Sequence, residues 1–181
     1  MLDIKRLSGC FEVRRLEESD CDAVLGLQKG NALFYRYSGG EAPSRERLIR
    51  DLNLTPPGVA KADKYYVGFF DAEGLAAVMD LVDGYPEKNI AYIGFFMMDS
   101  RLQGRHIGSA LIGEVCGRLR AEGKTAVRLA IDRDNPQATH FWSKNGFRVL
   151  KEVEMGGWTA LVAQRELTEP EEKRNGSERL S

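Results

Sequence analysis

Residues 90–132 constrain the fold more than any other part of the chain. They open with "IAYIGFFMMD", whose run from Tyr92 to Met98 is apolar on both faces. That is the pattern of a strand in the centre of a sheet, covered on two sides. From Gly104 to Glu122 the period becomes helical: Ile107, Leu111, Val115 and Leu119 recur every fourth residue, and Ile112 and Cys116 widen the stripe. Gly123 stands where such a helix ends. "TAVRLAID" then returns to a strand. A strand, a helix and a strand in one sheet make a right-handed βαβ unit with parallel neighbours.

The flanking segments complete a layered fold. "FEVRRL" alternates as a strand does. "SDCDAVLGLQKG" reads as a helix capped by Ser19 or Asp20, with Leu25 and Leu27 on its core side. "NALFYRYSGGEAP" reads as a loop, and "SRERLIRDLNL" as a short helix stopped before "TPPG". "KYYVGFF" and "LAAVMDLVDG" flank the turn "DAEG" as a hairpin. "DNPQATHFWSKNGF" is a helix with both ends marked, Asn135 as N-cap, Pro136 in the first turn and Gly146 as the stop. "FRVLKEVEM" and "WTALVAQREL" form a last hairpin around Gly156-Gly157. The expectation is an α/β fold with a mixed, mostly antiparallel central sheet of about seven strands and helices on both faces. It fills one domain, residues 1–167, and the polar stretch 168–181 reads as a disordered tail.

Composition narrows the functional classes. A formal net charge of −1 gives no electrostatic case for nucleic acid. The longest apolar run, "YIGFFMM", is too short to span a bilayer, so no membrane partner is expected. The start "MLDIKRLSGC" has no signal-peptide core, and Cys10, Cys21 and Cys116 frame neither a disulfide scaffold nor a metal site. A cytoplasmic protein without a metal is the reading.

The chemistry lies in "LQGRHIGSAL". The turn leaves a central strand and opens a helix, where backbone N–H groups lack intrahelical partners and the helix dipole adds positive character. Such a turn binds anions. Gly104 and Gly108 allow close backbone approach, and Arg105 adds charge. Neither a nucleotide-triphosphate loop nor a dinucleotide fingerprint is present. His106 occupies a position suited to glycine, and helical φ is expected there, since only left-handed φ would demand glycine.

With these residues in place, the chain resembles the GCN5-related N-acetyltransferases (the GNAT superfamily). The acetyl-CoA motif of that family falls on Gln103, Gly104, Arg105, His106, Ile107 and Gly108. A second signature, an asparagine followed by a helix with an aromatic pair and a closing "GF", falls on Asn135 to Phe147. The resemblance implies acetyl-CoA bound where the Tyr92–Met98 and Val127–Ile131 strands splay apart. The pantetheine arm would lie along Phe96, Met97 and Met98, the pyrophosphate at the amides from Gln103 to Ser109, and the thiol end near Asn135, Phe141 and Trp142. It also implies a small amine acceptor and admits a homodimer.

Two positions depart from the family pattern. Tyr92 stands where many members carry a glutamate base, and Trp142 where many carry a tyrosine acid. Asp80, inside the apolar strand "LAAVMDLV", is the alternative base, or else a strand residue paired with a nearby cation. Tyr92 could relay a proton or pack. Tyr35, Tyr37, Asp80 and Tyr85 are the candidate acceptor contacts, suited to a cationic molecule with an apolar part. A CoA-binding module without turnover would carry the same motifs.

Overall fold

The computed structural model describes residues 2–37 and 42–167; the expected tail, 168–181, and the glycine pair of the expected loop, Gly39 and Gly40, lie outside them. In chain order the strands are β1 (Glu12–Arg15), β2 (Lys64–Asp71), β3 (Gly74–Asp83), β4 (Ile90–Met98), β5 (Ala126–Asp132), β6 (Arg148–Glu154) and β7 (Thr159–Glu166). The helices are α1 (Cys21–Lys29), α2 (Ala32–Tyr37), α3 (Arg45–Asn53), α4 (Ile107–Ala121) and α5 (Pro136–Lys144). The strands form one sheet in the order β1-β2-β3-β4-β5-β7-β6. Only β4 and β5 run parallel, as the βαβ reading requires. Every other pairing is antiparallel.

Two apolar layers sandwich the sheet. On one face Leu111, Ile112, Val115, Cys116 and Leu119 of α4 pack against Met79, Ile93, Val127 and Leu129. The stripe read from the sequence is the buried stripe of the helix. On the other face Val24 and Leu27 of α1 and Leu48 of α3 pack against Tyr66, Val78 and Met97. α2 corrects the expected loop: its Phe34 sets its ring edge-on against Phe95, 5.9 Å between centroids. The aromatic residues that make this stretch look unlike a spacer are what dock it as a helix.

The caps of α5 are as expected. Asn135 Oδ1 accepts the Ala138 N–H at 2.9 Å, and Pro136 opens the helix. The final hairpin closes through Met155–Trp158, where the Met155 N–H meets the Trp158 carbonyl at 2.8 Å. No helix among the described residues is long and apolar enough to cross a membrane.

Candidate active site

The parallel ladder between β4 and β5 stops early. Ile90 to Ile93 pair with Ala126 to Leu129, and beyond that β4 continues to Met98 with no partner on its β5 side. β5 meanwhile stays paired with β7 out to Asp132. The strands therefore part, and a cavity of about 450 Å³ occupies the wedge. Phe96, Met97 and Met98 line one side of it, and Asn135, Phe141 and Trp142 of the α5 region line the other. The aromatic wall is continuous: Phe96 stacks on Phe141 at 6.0 Å, and Trp142 packs edge-on to Phe141 and Phe147 at 5.0 Å each. Trp142 is thus both wall and core, with 8% of its surface exposed.

The floor of the wedge is the glycine turn. The N–H groups of Gly104 through Ser109 have no hydrogen-bond partner among the described residues, and the first bond of the helix comes at Ala110, which donates to the His106 carbonyl at 3.0 Å. A run of free donors at the start of a fifteen-residue helix fits an anionic group such as a pyrophosphate. The turn reaches this shape through left-handed backbone at Gly104 (φ 72°) and again at His106 (φ 61°). The structure overturns the expectation of helical φ at His106. The chain must bend back sharply between the end of β4 and α4, and that bend takes precedence over the preference of histidine.

Side chains fix the turn from below. Gln103 Nε2 donates to the Met98 carbonyl at 3.1 Å and also to Asn31 Oδ1. Asn31 Nδ2 in turn donates to the carbonyls of Leu27 and Met98. The motif glutamine therefore positions the loop, and its side chain is occupied within the protein. Lys144, at the end of α5, donates to His106 Nδ1 at 3.2 Å and lines the cavity mouth. Nothing in the sequence singles out Asn31 or Lys144. Asn31 belongs to neither signature and Lys144 is not a defining residue of the second, and only the fold brings them to the turn.

The face of β4 turned away from α4 carries the remaining candidates. A bulge lets Asp80 pair with Phe95 while Leu81 pairs with Ile93, so Gly94 is the extra residue. A Cβ at Gly94 would lie 3.0 Å from Asp80 Oδ2, so glycine there is what lets the carboxylate lie over the strand. Lys64 Nζ donates to Asp80 Oδ2 at 2.9 Å, with side-chain exposures of 6% and 16%. The other oxygen, Oδ1, is buried without a hydrogen bond among the described residues. Burial pushes the Asp80 carboxyl above its ordinary range, and Lys64 offsets part of that. Both sequence readings of Asp80 hold together: it is paired, and it keeps one oxygen free.

Tyr92 meets Tyr85 edge-on at 5.5 Å, and burial raises its phenol further from any role as a base. Tyr35 is half-buried against Phe34 and pushed up to about 12 by burial, while Tyr37 ends α2 in an exposed position. Cys116 is buried in the α4 stripe and pushed up to about 11, which suits packing rather than nucleophilic chemistry. Among the described residues no group of ligating side chains could hold a metal ion.

Comparison with known proteins agrees with this geometry. The profile of the acetyltransferase (GNAT) family matches residues 28–147. No sequence among the curated proteins matches the chain. Among solved structures it is similar to an acetyltransferase from Thermus thermophilus (TM-score 0.67, 22% identity, covering 86% of this chain and 96% of that one). It is also similar to the PaiA N-acetyltransferase from Thermoplasma acidophilum in complex with coenzyme A (TM-score 0.61, 20% identity, 86% and 98% covered). A third is the ribosomal-protein-S18-alanine N-acetyltransferase from Escherichia coli (TM-score 0.61, 14% identity, 89% and 96% covered). At these identities the likeness is one of fold. The family profile spans both the glycine turn and the capped aromatic helix, the floor and one wall of the wedge, and so the chain belongs to the acetyltransferase (GNAT) family.

Proposed function

We propose that the protein transfers the acetyl group of acetyl-CoA to a primary amine of a small acceptor, with both held in one ternary complex. The carrying observation is the row of unpartnered amides, Gly104 through Ser109, opening on a wedge whose β4 edge is unpaired. Those amides and Lys144 would hold the phosphates. The free edge at Phe96 to Met98 would pair with an amide-bearing arm, and Phe141 would flank its end.

When bound, acetyl-CoA supplies an acetyl thioester whose thiolate, with a pKa of about 8.5, leaves with little help from an acid. Trp142 therefore need not donate a proton, and an indole cannot usefully do so. The amine does need a base, since its own pKa of about 10 keeps it protonated. Asp80 Oδ1 is the candidate for that base: it is buried without a hydrogen bond among the described residues, lies over the bulge, and burial raises its carboxyl above the ordinary carboxylate range. Lys64 fixes the carboxylate through the other oxygen. Tyr92 stays protonated and walls the approach.

A melting-temperature screen tests the first step: acetyl-CoA at concentrations well above its Kd should raise Tm by mass action. Product detection across an amine panel tests the second. No shift with acetyl-CoA would refute the reading. A second reading, a CoA-binding module without turnover, is motivated by Tyr92 and Trp142 at the usual base and acid positions. A clear shift with no product from any amine would favour it.

A further inference from the structure

The charges near the β4 bulge do not balance, and the imbalance points to the acceptor. This inference rests on the acetyl-transfer reading above. The expectation of a cationic acceptor draws on Asp80 and its neighbours. In the structure Asp80 is paired with Lys64, and Asp83 with Lys124. The acidic groups there are already neutralised.

The charge left over is positive. Arg128 lies opposite Tyr92, one residue before the last pair of the β4–β5 ladder, at the crotch of the wedge. It stands on the face away from α4, since Val127 and Leu129 beside it are buried in the α4 core. Its Nε donates to Gln164 Oε1 at 2.7 Å, a neutral partner. No carboxylate lies within 4.0 Å of its guanidinium among the described residues. Glu166 is reached only through Gln164, whose Nε2 donates to it. Ala130, two residues on and on the same face, is small and exposed, so the space above the sheet is open there. Arg148 of β6 pairs with Gln164 and extends the positive row: Tyr92, Arg128, Gln164 and Arg148 run side by side across four strands.

We infer that Arg128 binds a carboxylate of the acceptor, and that the substrate is an amine carrying a carboxylate, an amino-acid-like molecule. A guanidinium whose Nε already rests on a fixed acceptor presents its remaining N–H groups as a fork, which matches a carboxylate in two parallel hydrogen bonds. The Tyr85–Tyr92 pair forms an aromatic wall beside it. Arg128 sits on the strand after β4 and Asp80 on the strand before it, so the amine and the carboxylate are read from opposite sides of the bulge.

The test is a panel of α- and ω-amino acids, each beside its carboxamide, assayed with wild type, Arg128→Gln and Arg128→Lys. Wild type should prefer the carboxylate by about ten- to a hundredfold in kcat/KM, the scale of a charge-assisted hydrogen bond. Arg128→Gln should bring that ratio near one, mainly through KM, and Arg128→Lys should restore part of it. Equal use of the carboxamides by wild type, or an unchanged ratio in Arg128→Gln, would overturn the inference. Calorimetric binding of the same pairs to CoA-loaded protein separates this from the fate of the transfer reading. If nothing is acetylated but the carboxylate still binds through Arg128, only the transfer reading falls. If transfer occurs with no carboxylate preference, only this inference falls.

Discussion

The Lys64–Asp80 pair allows a sharp test of how charge is held under this sheet. Consider Asp80→Asn. The variant keeps an oxygen near Lys64 Nζ but removes the charge that compensates a lysine only 6% exposed. Breaking a buried pair from one side costs about 3–5 kcal/mol, because the remaining ion is neither solvated nor matched. Asparagine still accepts a hydrogen bond, so the lower end applies, about 3 kcal/mol. For a chain of this size that is a fall of about 6–12 °C in Tm. The double variant Lys64→Met/Asp80→Leu removes both charges and should recover most of the loss, since an apolar pair of similar volume is often as stable as an ion pair. Urea denaturation of wild type, Lys64→Met, Asp80→Leu and the double variant gives the cycle, with Asp80→Asn measured beside it. A loss below about 1 kcal/mol in Asp80→Asn would mean the pair is screened as a surface pair is, and the buried-charge reasoning would be wrong.

Other outcomes follow from the same features. His106→Gly relieves the left-handed φ and should stabilise the protein by about 0.5–1 kcal/mol after the extra chain entropy of glycine, whereas His106→Val should destabilise it; equal denaturation midpoints would refute the strain. Gly104→Ala places a Cβ at φ 72° and should lower stability by about 1–2 kcal/mol and weaken acetyl-CoA binding measured by calorimetry. Asn135→Ala removes the cap on the Ala138 N–H and should cost about 1 kcal/mol in urea denaturation.

The elements legible in the sequence are those fixed by local pattern. The α4 stripe, the two hairpins and the caps of α5 are each written in spacing or in one or two residue types, and the structure carries all of them. The family signatures mark the floor and one wall of the wedge. What is not legible depends on contacts between distant segments. Lys64 and Asp80 meet only through the β2–β3 register, in which Tyr66 opposes Asp80. Asn31 stands just before α2, but its side-chain oxygen accepts from Gln103, and what docks the helix is Phe34 against Phe95. The φ of His106 is set by the angle between β4 and α4, which no residue type records. Arg128 looks like an ordinary strand arginine until its partner proves to be an amide.

The early end of the β4–β5 ladder also has a mechanical meaning. The sheet is in effect two leaves, β1-β2-β3-β4 and β5-β7-β6, stitched along their seam only from Ile90 to Ile93 and from Ala126 to Leu129. An extended molecule in the wedge would lace the open length of that seam, supplying hydrogen bonds where one leaf has no neighbour. Amide exchange at the ladder's last residues, Ile93 and Leu129, should then slow on loading by more than exchange at the outer β1–β2 or β6–β7 edges, because opening the seam would require the lacing to come out first.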